Sequence, residues 1–344
     1  MPRPRIFTVE ESARYLLKRT PPLHFKGKTR EEYVAWHRAF RRAILKELGP
    51  PPDPVPLRPE VVERRTVDGV KIEKVVFDAD EFSSVPAWVG RPADLKRGEK
   101  LPGVLCAHGH GVGKDGTFGL NEDGYQKAIG IALARQGFIT IAPDWRTFGE
   151  RCDKDDWVRR PSRDGCNVAY LAMGYFGHHL LGLQINDARR TLDYLSSLPE
   201  VDERRLGMIG CSFGGTMTTY TSALDTRIKA AVIVCYLSTI WDALTDRKGN
   251  TCGSQYMPGL RKYGDIADVA GLIAPRRLMA QIGSDDQCFI QEDALKAYQH
   301  LAGIYRAAGM KDRLELDHFQ GGHEIDYEAG AEFLSRHLGA KPRG

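Results

Sequence analysis

Much that would place this chain in a special class is missing from it. No run is long and apolar enough to cross a membrane. The N-terminus, Met1-Pro-Arg-Pro-Arg-Ile-Phe7, carries early positive charge but no apolar stretch behind it, so it does not read as a secretory signal. Charge of one sign is not in excess: the net charge is +4, too mild to argue for nucleic acid. No internal repeat occurs. The seven cysteines (Cys106, Cys152, Cys166, Cys211, Cys235, Cys252 and Cys288) are odd in number and form no Cys-x-x-Cys, which argues against a disulfide scaffold or a redox motif. Together these absences lead us to expect reduced thiols and a cytoplasmic location, although a signal already removed would leave no trace.

What is present is a globular composition. The chain has 344 residues, 42% hydrophobic and 27% charged, enough for one large core and an accessory piece. Residues 1–60 read as a helical arm and linker. Val9–Arg19 follows a Thr8 cap, and Thr29–Leu48 starts at a second Thr with Glu31 and Glu32 behind it. Tyr33, Trp36, Phe40, Ile44 and Leu48 fall at helical spacing. That stripe is expected to dock on the main domain; the alternative is a subunit contact, giving a homo-oligomer through the arm. Arg38, Arg41, Arg42 and Lys46 lie mostly off the stripe and read as a solvated face rather than a surface for nucleic acid or lipid. The proline-rich run Gly49–Pro59 is a stiff linker.

Residues 61–344 alternate short apolar strands with helices. Strands are expected at Val70–Phe77, Val85–Gly90, Gly103–Ala107, Phe138–Ala142, Leu206–Ile209, Ala230–Cys235, Leu278–Ile282 and Leu314–Asp317. Helices are expected at Tyr125–Gln136, Leu180–Ser197, after Ser212, and at Glu292–Ala308 and Tyr327–Leu338. Cys152–Gly177 and Leu237–Asp268 read as irregular cleft walls. The alternation predicts an α/β fold, a mostly parallel sheet covered on both faces, with its chemistry at the carboxyl ends of the strands.

The most informative stretch is Gly210-Cys-Ser-Phe-Gly214, which fits G-x-S-x-G between a strand and a helix. A serine on so sharp a turn is strained, and bulkier neighbours two residues away would strike adjacent backbone, hence the glycines. The turn lifts the hydroxyl above the sheet at the positive end of the following helix. Serine is a weak nucleophile unless a base takes its proton, and the base needs a carboxylate to orient it. His323, on the loop Gly321-Gly-His-Glu324, is the candidate base, with His318 in reserve. The acid is Asp285 or Asp286 in Gly283-Ser-Asp-Asp286; Asp286 is preferred on its G-x-x-D position. The negative oxygen formed on attack needs backbone donors, each contributing about 3 kcal/mol. The N–H of Phe213 and that of His110, in Cys106-Ala-His-Gly-His-Gly111, are the candidates. His178 and His179 could line a pocket.

His-Gly-His has rival readings. His108 and His110 could bind a metal, but no third ligand at suitable spacing is evident, so none is expected. Gly109–Lys114 is a residue short of a phosphate loop, with Asp115 where Ser or Thr should stand. Cys211 reads as a packing residue. In Asp144-Trp-Arg-Thr-Phe-Gly-Glu-Arg151, Trp145 and Arg146 are candidate pocket walls; the alternative is an ion-pair network with Glu150 and Arg151.

From about residue 65 onward, these motifs, with Ala274-Pro-Arg-Arg277, resemble the α/β-hydrolases, and within them the dienelactone hydrolase and acetyl xylan esterase-like group. Two departures qualify the resemblance. Ser212 stands where dienelactone hydrolases carry cysteine. Phe213 stands where acetyl xylan and cephalosporin C deacetylases typically have glutamine, and their Arg-Gly-Gln loop is absent. The resemblance implies a carboxylic ester hydrolase working without a cofactor on a small-molecule or carbohydrate ester, such as a sugar acetate. A prolyl oligopeptidase-like peptidase and a non-catalytic binding module of the same fold are the competing expectations.

Overall fold

A computed structural model describes residues 5–121, 124–153, 163–245 and 252–341. Two capped helices open the chain: α1 (Val9–Leu17) and α2 (Arg30–Leu48). At each, the Thr side chain accepts from the backbone three residues on, and a Glu reaches back to the Thr N–H, which satisfies donors the helix itself leaves open. In α2 the apolar stripe is inward: Phe40 and Ile44 are fully buried, and Tyr33, Trp36 and Leu48 nearly so. The Tyr33 hydroxyl donates to the Ala274 carbonyl at 2.6 Å, and Trp36 Nε1 donates to Leu23 O at 2.6 Å. The stripe is thus used within the chain, as part of its main hydrophobic core.

Among the described residues nine strands succeed the arm in one sheet: β1 (Glu60–Val67), β2 (Val70–Asp80), β3 (Ser83–Pro92), β4 (Leu101–Ala107), β5 (Ile139–Pro143), β6 (Val201–Cys211), β7 (Ile228–Val234), β8 (Arg277–Gly283) and β9 (Leu314–Phe319). Their spatial order is β1-β2-β3-β5-β4-β6-β7-β8-β9. The first three strands run antiparallel, as does the β3/β5 pair; all later pairs are parallel. Parallel pairs need crossovers, and the helices supply them. They are α3 (Lys114–Thr117), α4 (Ile129–Arg135), α5 (Arg163–Tyr175), α6 (Leu180–Ser197), α7 (Phe213–Leu224), α8 (Ile240–Leu244), α9 (Ile266–Gly271) and α10 (Gln291–Ala307); a last helix, α11 (Tyr327–Leu338), follows β9. One face of the sheet packs on α6, α7 and α10, with α2 laid against α10, through a cluster that includes Phe40, Leu192, Met217 and Ile304. The other packs on α4 and α11 through Ile131, Leu133, Phe333 and Leu334. Burial on both sides explains why β4 and β5 read as unbroken apolar runs.

Three local expectations need correction. β1 has no counterpart among the expected strands, because none of its residues is buried and it carries Glu60, Glu63, Arg64 and Arg65 along an exposed sheet edge. Charges there discourage pairing with another chain, so the strand has no apolar signature. The helix expected from Tyr125 begins only at Ile129, since Lys127 and Ala128 both adopt positive φ, of 53° and 48°. The stretches expected to be irregular contain α5, and α8 with α9.

Candidate active site

The central strand β6 delivers Ser212 into a turn with φ 62° and ψ −120°, a conformation costly for any residue with a side chain. The turn is held by the Ser212 N–H, which donates to Val234 O of β7 at 3.1 Å. The flanking glycines are required by close approach: a Cβ at Gly210 would stand 2.5 Å from Gly214 O, and one at Gly214 would collide with the Ala107 carbonyl of β4. α7 starts at Phe213, directly behind the serine, and buries its whole length.

Beyond β8 the chain turns through Asp285 and Asp286; beyond β9 it carries His323. The two loops are tied together by Ser284 N to Phe319 O (3.0 Å) and Asp285 N to Gly321 O (2.8 Å). Asp286 is buried, and its Oδ1 accepts from the backbone N–H of Cys288 and of Phe289 at 2.6 and 3.0 Å. Its Oδ2 lies 2.9 Å from His323 Nδ1. Asp285 is exposed and meets Ser284 and Gln320 instead, and His318 faces Gln291 at the surface. Of the alternatives left open by the sequence, Asp286 and His323 are the two that the fold pairs.

The His323 ring lies between Tyr125 and Phe289, at centroid distances of 5.7 and 5.8 Å. Burial disfavours its charged form, but the hydrogen bond to Asp286 and the neighbouring Cys235 outweigh that and raise its pKa well above the ordinary imidazole value. Burial likewise opposes ionisation of Asp286, yet His323 and the two backbone donors hold its pKa low. The ligand atoms of Cys211, Cys235 and His323 all lie within 4.8 Å of one another, which brings the ring to the residue preceding Ser212. Among the described residues the Ser212 hydroxyl makes no hydrogen bond; in the absence of substrate such catalytic bonds are often long and tighten only when substrate binds.

The loop after β4 passes close to the elbow. A Cβ at Gly109 would meet Cys211 O at 2.8 Å and strike the Tyr125 hydroxyl. Tyr125 donates to His110 O at 2.7 Å and so fixes the loop. Neither the His110 nor the Phe213 backbone N–H has an acceptor among the described residues. His108 is fully buried. Its Nδ1 faces Gly109 O at 2.7 Å while its Nε2 accepts from Trp145 N at 3.0 Å, and burial pushes its pKa down to about 4, so it is a neutral structural histidine.

The expected pocket walls are corrected by the structure. Trp145 is fully buried, with its indole N–H donating to His108 O at 3.2 Å. The Arg146 guanidinium is spent on Asp187, at 2.9 and 3.0 Å, and on Asp80 at 2.5 Å. Arg151 joins the same Asp187 at 2.8 Å. The loop is therefore braced by an ion-pair network, in which both residues shape the site from behind. Lys114 is also internal: its Nζ lies 2.8 Å from Asp144 and 2.6 Å from Glu150, which leaves no cation for a phosphate loop. His178 and His179 border a separate groove with Leu45 and Leu48. An apolar cavity of about 280 Å³ is lined by Tyr220, Tyr236, Ala243, Tyr256, Met257 and Leu260, among others. Tyr236 packs against Gly215, at the start of α7.

Cys235, Tyr125 and Phe289, which surround the His323 ring, carry no motif that marks them in the sequence. They lie far from His323 along the chain; the position of Cys235 at the end of β7, beside the strand carrying Ser212, is the only available signal.

A strained serine between the central strand and a buried helix, with the other candidate residues at the carboxyl ends of the neighbouring parallel strands, defines the α/β-hydrolase fold. A family model described as the Abhydrolase family matches residues 8–331, and the chain belongs to that family. The chain is 28% identical over 291 residues to the Bacillus subtilis protein named "Putative hydrolase YtaP", covering 82% of this chain and 92% of that one. It is 25% identical over 200 residues to acetyl esterase Axe7A of Xylanibacter ruminicola, covering 56% of this chain and 42% of that protein. Among solved structures, the Bacteroides fragilis protein called "a putative acetyl xylan esterase" superposes with a TM-score of 0.74 at 19% identity, covering 92% of this chain and 83% of that one.

Proposed function

We propose that the chain is a serine carboxylic ester hydrolase, acting on short acyl esters of small alcohols or sugars, with acetyl esters first among them. The observation that carries this reading is the buried Asp286–His323 pair at the same sheet rim as a serine held at φ 62°. Ser212 Oγ attacks the ester carbonyl while His323 takes its proton, and Asp286 holds the ring and stabilises the imidazolium. The N–H groups of Phe213 and His110 receive the negative oxygen. The imidazolium then gives its proton to the leaving alcohol; water, deprotonated by His323, attacks the acyl group, and His323 returns that proton to Ser212 Oγ as the acid leaves. Apart from the ester and water, these steps use only side chains and backbone of this chain. The acetyl preference is supported by the names of the similar proteins, Axe7A and the Bacteroides fragilis chain.

The test is hydrolysis of nitrophenyl acetate, butyrate and octanoate, beside acetylated xylo-oligosaccharides. Ser212→Ala should abolish turnover while the circular dichroism spectrum is retained. A fluorophosphonate probe should label the parent chain at Ser212. Turnover undiminished in Ser212→Ala, or a folded parent chain that hydrolyses none of these esters and takes no label, overturns the reading.

A further inference from the structure

His108 and His110 cannot ligate one ion, because His108 is turned inward onto Gly109 and Trp145. His110 instead meets two cysteines from distant parts of the chain. Its Nε2 lies 3.1 Å from Cys252 Sγ. Cys166, on α5, completes the group: the ligand atoms of His110, Cys166 and Cys252 lie within 4.8 Å of one another. Both cysteines are buried and carry free thiols. The segments that carry them are packed tightly: Gly253 N donates to Asn167 Oδ1 at 2.9 Å, and a Cβ on Gly253 would meet Cys166 O at 2.6 Å.

We infer that His110, Cys166 and Cys252 form a binding site for a soft divalent cation of the zinc class. The donor set is what such an ion selects: one imidazole and two thiolates, with the fourth tetrahedral position left to water on the partly exposed His110 side. Ideal tetrahedral coordination separates nitrogen from sulfur by about 3.6 Å and sulfur from sulfur by about 3.8 Å. The observed cluster reaches that geometry through shifts of about an ångström or less. Binding replaces the two thiol protons, which leave to solvent, and the resulting complex of one dication with two thiolates is neutral, so burying it costs little. Polar groups already face Cys166. Thr147 Oγ1 is 3.5 Å from its sulfur, and the nearby Ser254 hydroxyl is buried without a well-formed hydrogen bond among the described residues. An ion here would tie α5 and the segment around Cys252 to the loop after β4. The site does not depend on the hydrolytic reading, since its readout is metal itself.

The experiment uses the full chain, purified under reducing conditions, stripped with a chelator and titrated with Co²⁺. One equivalent should bind and give a near-ultraviolet thiolate-to-cobalt band with tetrahedral visible bands, and Zn²⁺ should displace it. Elemental analysis of the chain as isolated, before stripping, should find close to one zinc. Cys166→Ser and Cys252→Ser should each remove the thiolate band, whereas Cys235→Ser, in the neighbouring cluster beside His323, should keep it. The proposal is overturned if the parent chain gives no such band, or if the band survives in Cys166→Ser and Cys252→Ser but is lost in Cys235→Ser. A Cys166–Cys252 disulfide found by peptide mapping of a parallel preparation made without reductant and alkylated at lysis also overturns it. Because the parent chain alone decides the first outcome, failure of a variant to fold leaves the test intact.

Discussion

His323 Nδ1 lies 2.9 Å from Asp286 Oδ2, and the same carboxylate takes two backbone N–H groups from the turn just beyond it. The turn orients the acid, the acid orients the ring, and the ring is wedged between Tyr125 and Phe289. The pair is thus built from the end of one strand and the loop after the next, with its geometry set before any substrate arrives.

Replacing Asp286 by Asn should lower kcat by roughly 10³–10⁴-fold with little change in KM, by the general behaviour of such pairs. It should also move the pH profile. Asp286 favours the imidazolium, so the proton-accepting form of His323 is populated only above a raised pKa, and kcat/KM of the parent chain should climb through that range. Without the carboxylate, burial acts with less opposition and the rising limb should shift to lower pH. Initial rates across pH on nitrophenyl acetate measure both effects; an unshifted limb would count against the pairing.

Gly214→Ala tests the elbow. The new methyl would strike the Ala107 carbonyl, a backbone atom that cannot swing aside. We expect a loss of roughly 1–3 kcal/mol or more of stability from overpacking, measured by urea unfolding, together with loss of esterase activity.

Lys114→Met leaves Asp144 buried with no ammonium partner, although the backbone N–H groups of Lys114 and Glu150 still serve it. Breaking one side of a buried pair is expected to cost roughly 3–5 kcal/mol, and the retained N–H groups place this case at the lower end. Chemical denaturation of parent and variant reads the difference.

Asp187 makes stability depend on acid. Its burial favours the neutral form, but Arg151 and Arg146 outweigh this and depress the folded pKa. A depressed carboxylate adds stability above its unfolded pKa of about 3.9, and that stability is lost as pH falls through the lower folded value. The melting temperature should therefore drop on acidification below about pH 4. Asp187→Asn should melt lower at neutral pH and narrow the gap to the parent in acid. An unchanged gap would mean that Asp187 contributes nothing to acid sensitivity.

Much of this architecture could be read from the chain alone. Among the described residues all strands but β1 announced themselves: those buried on both faces, such as β4 and β5, must be apolar throughout, while β2 largely alternates buried apolar residues with more exposed polar ones, and the helices α6 and α11 matched the spans expected from their periodicity. The elbow was legible for a related reason: its glycines are dictated by contacts within a few residues and with the adjoining strand. Features set by neighbours in sequence, or by burial as such, are written locally.

The rest required the fold. Whether Trp145 and Arg146 face a cleft or brace a loop depends on Asp80, Asp187 and His108, which no local pattern links to them. The choice of Asp286 over Asp285 depends on which carboxylate the turn after β8 buries. The meeting of His110 with Cys166 and Cys252 has no spacing rule, because its three members come from separate crossovers. Local sequence sets where the chain bends and what it must hide; only chain closure in three dimensions decides which polar groups are left facing one another.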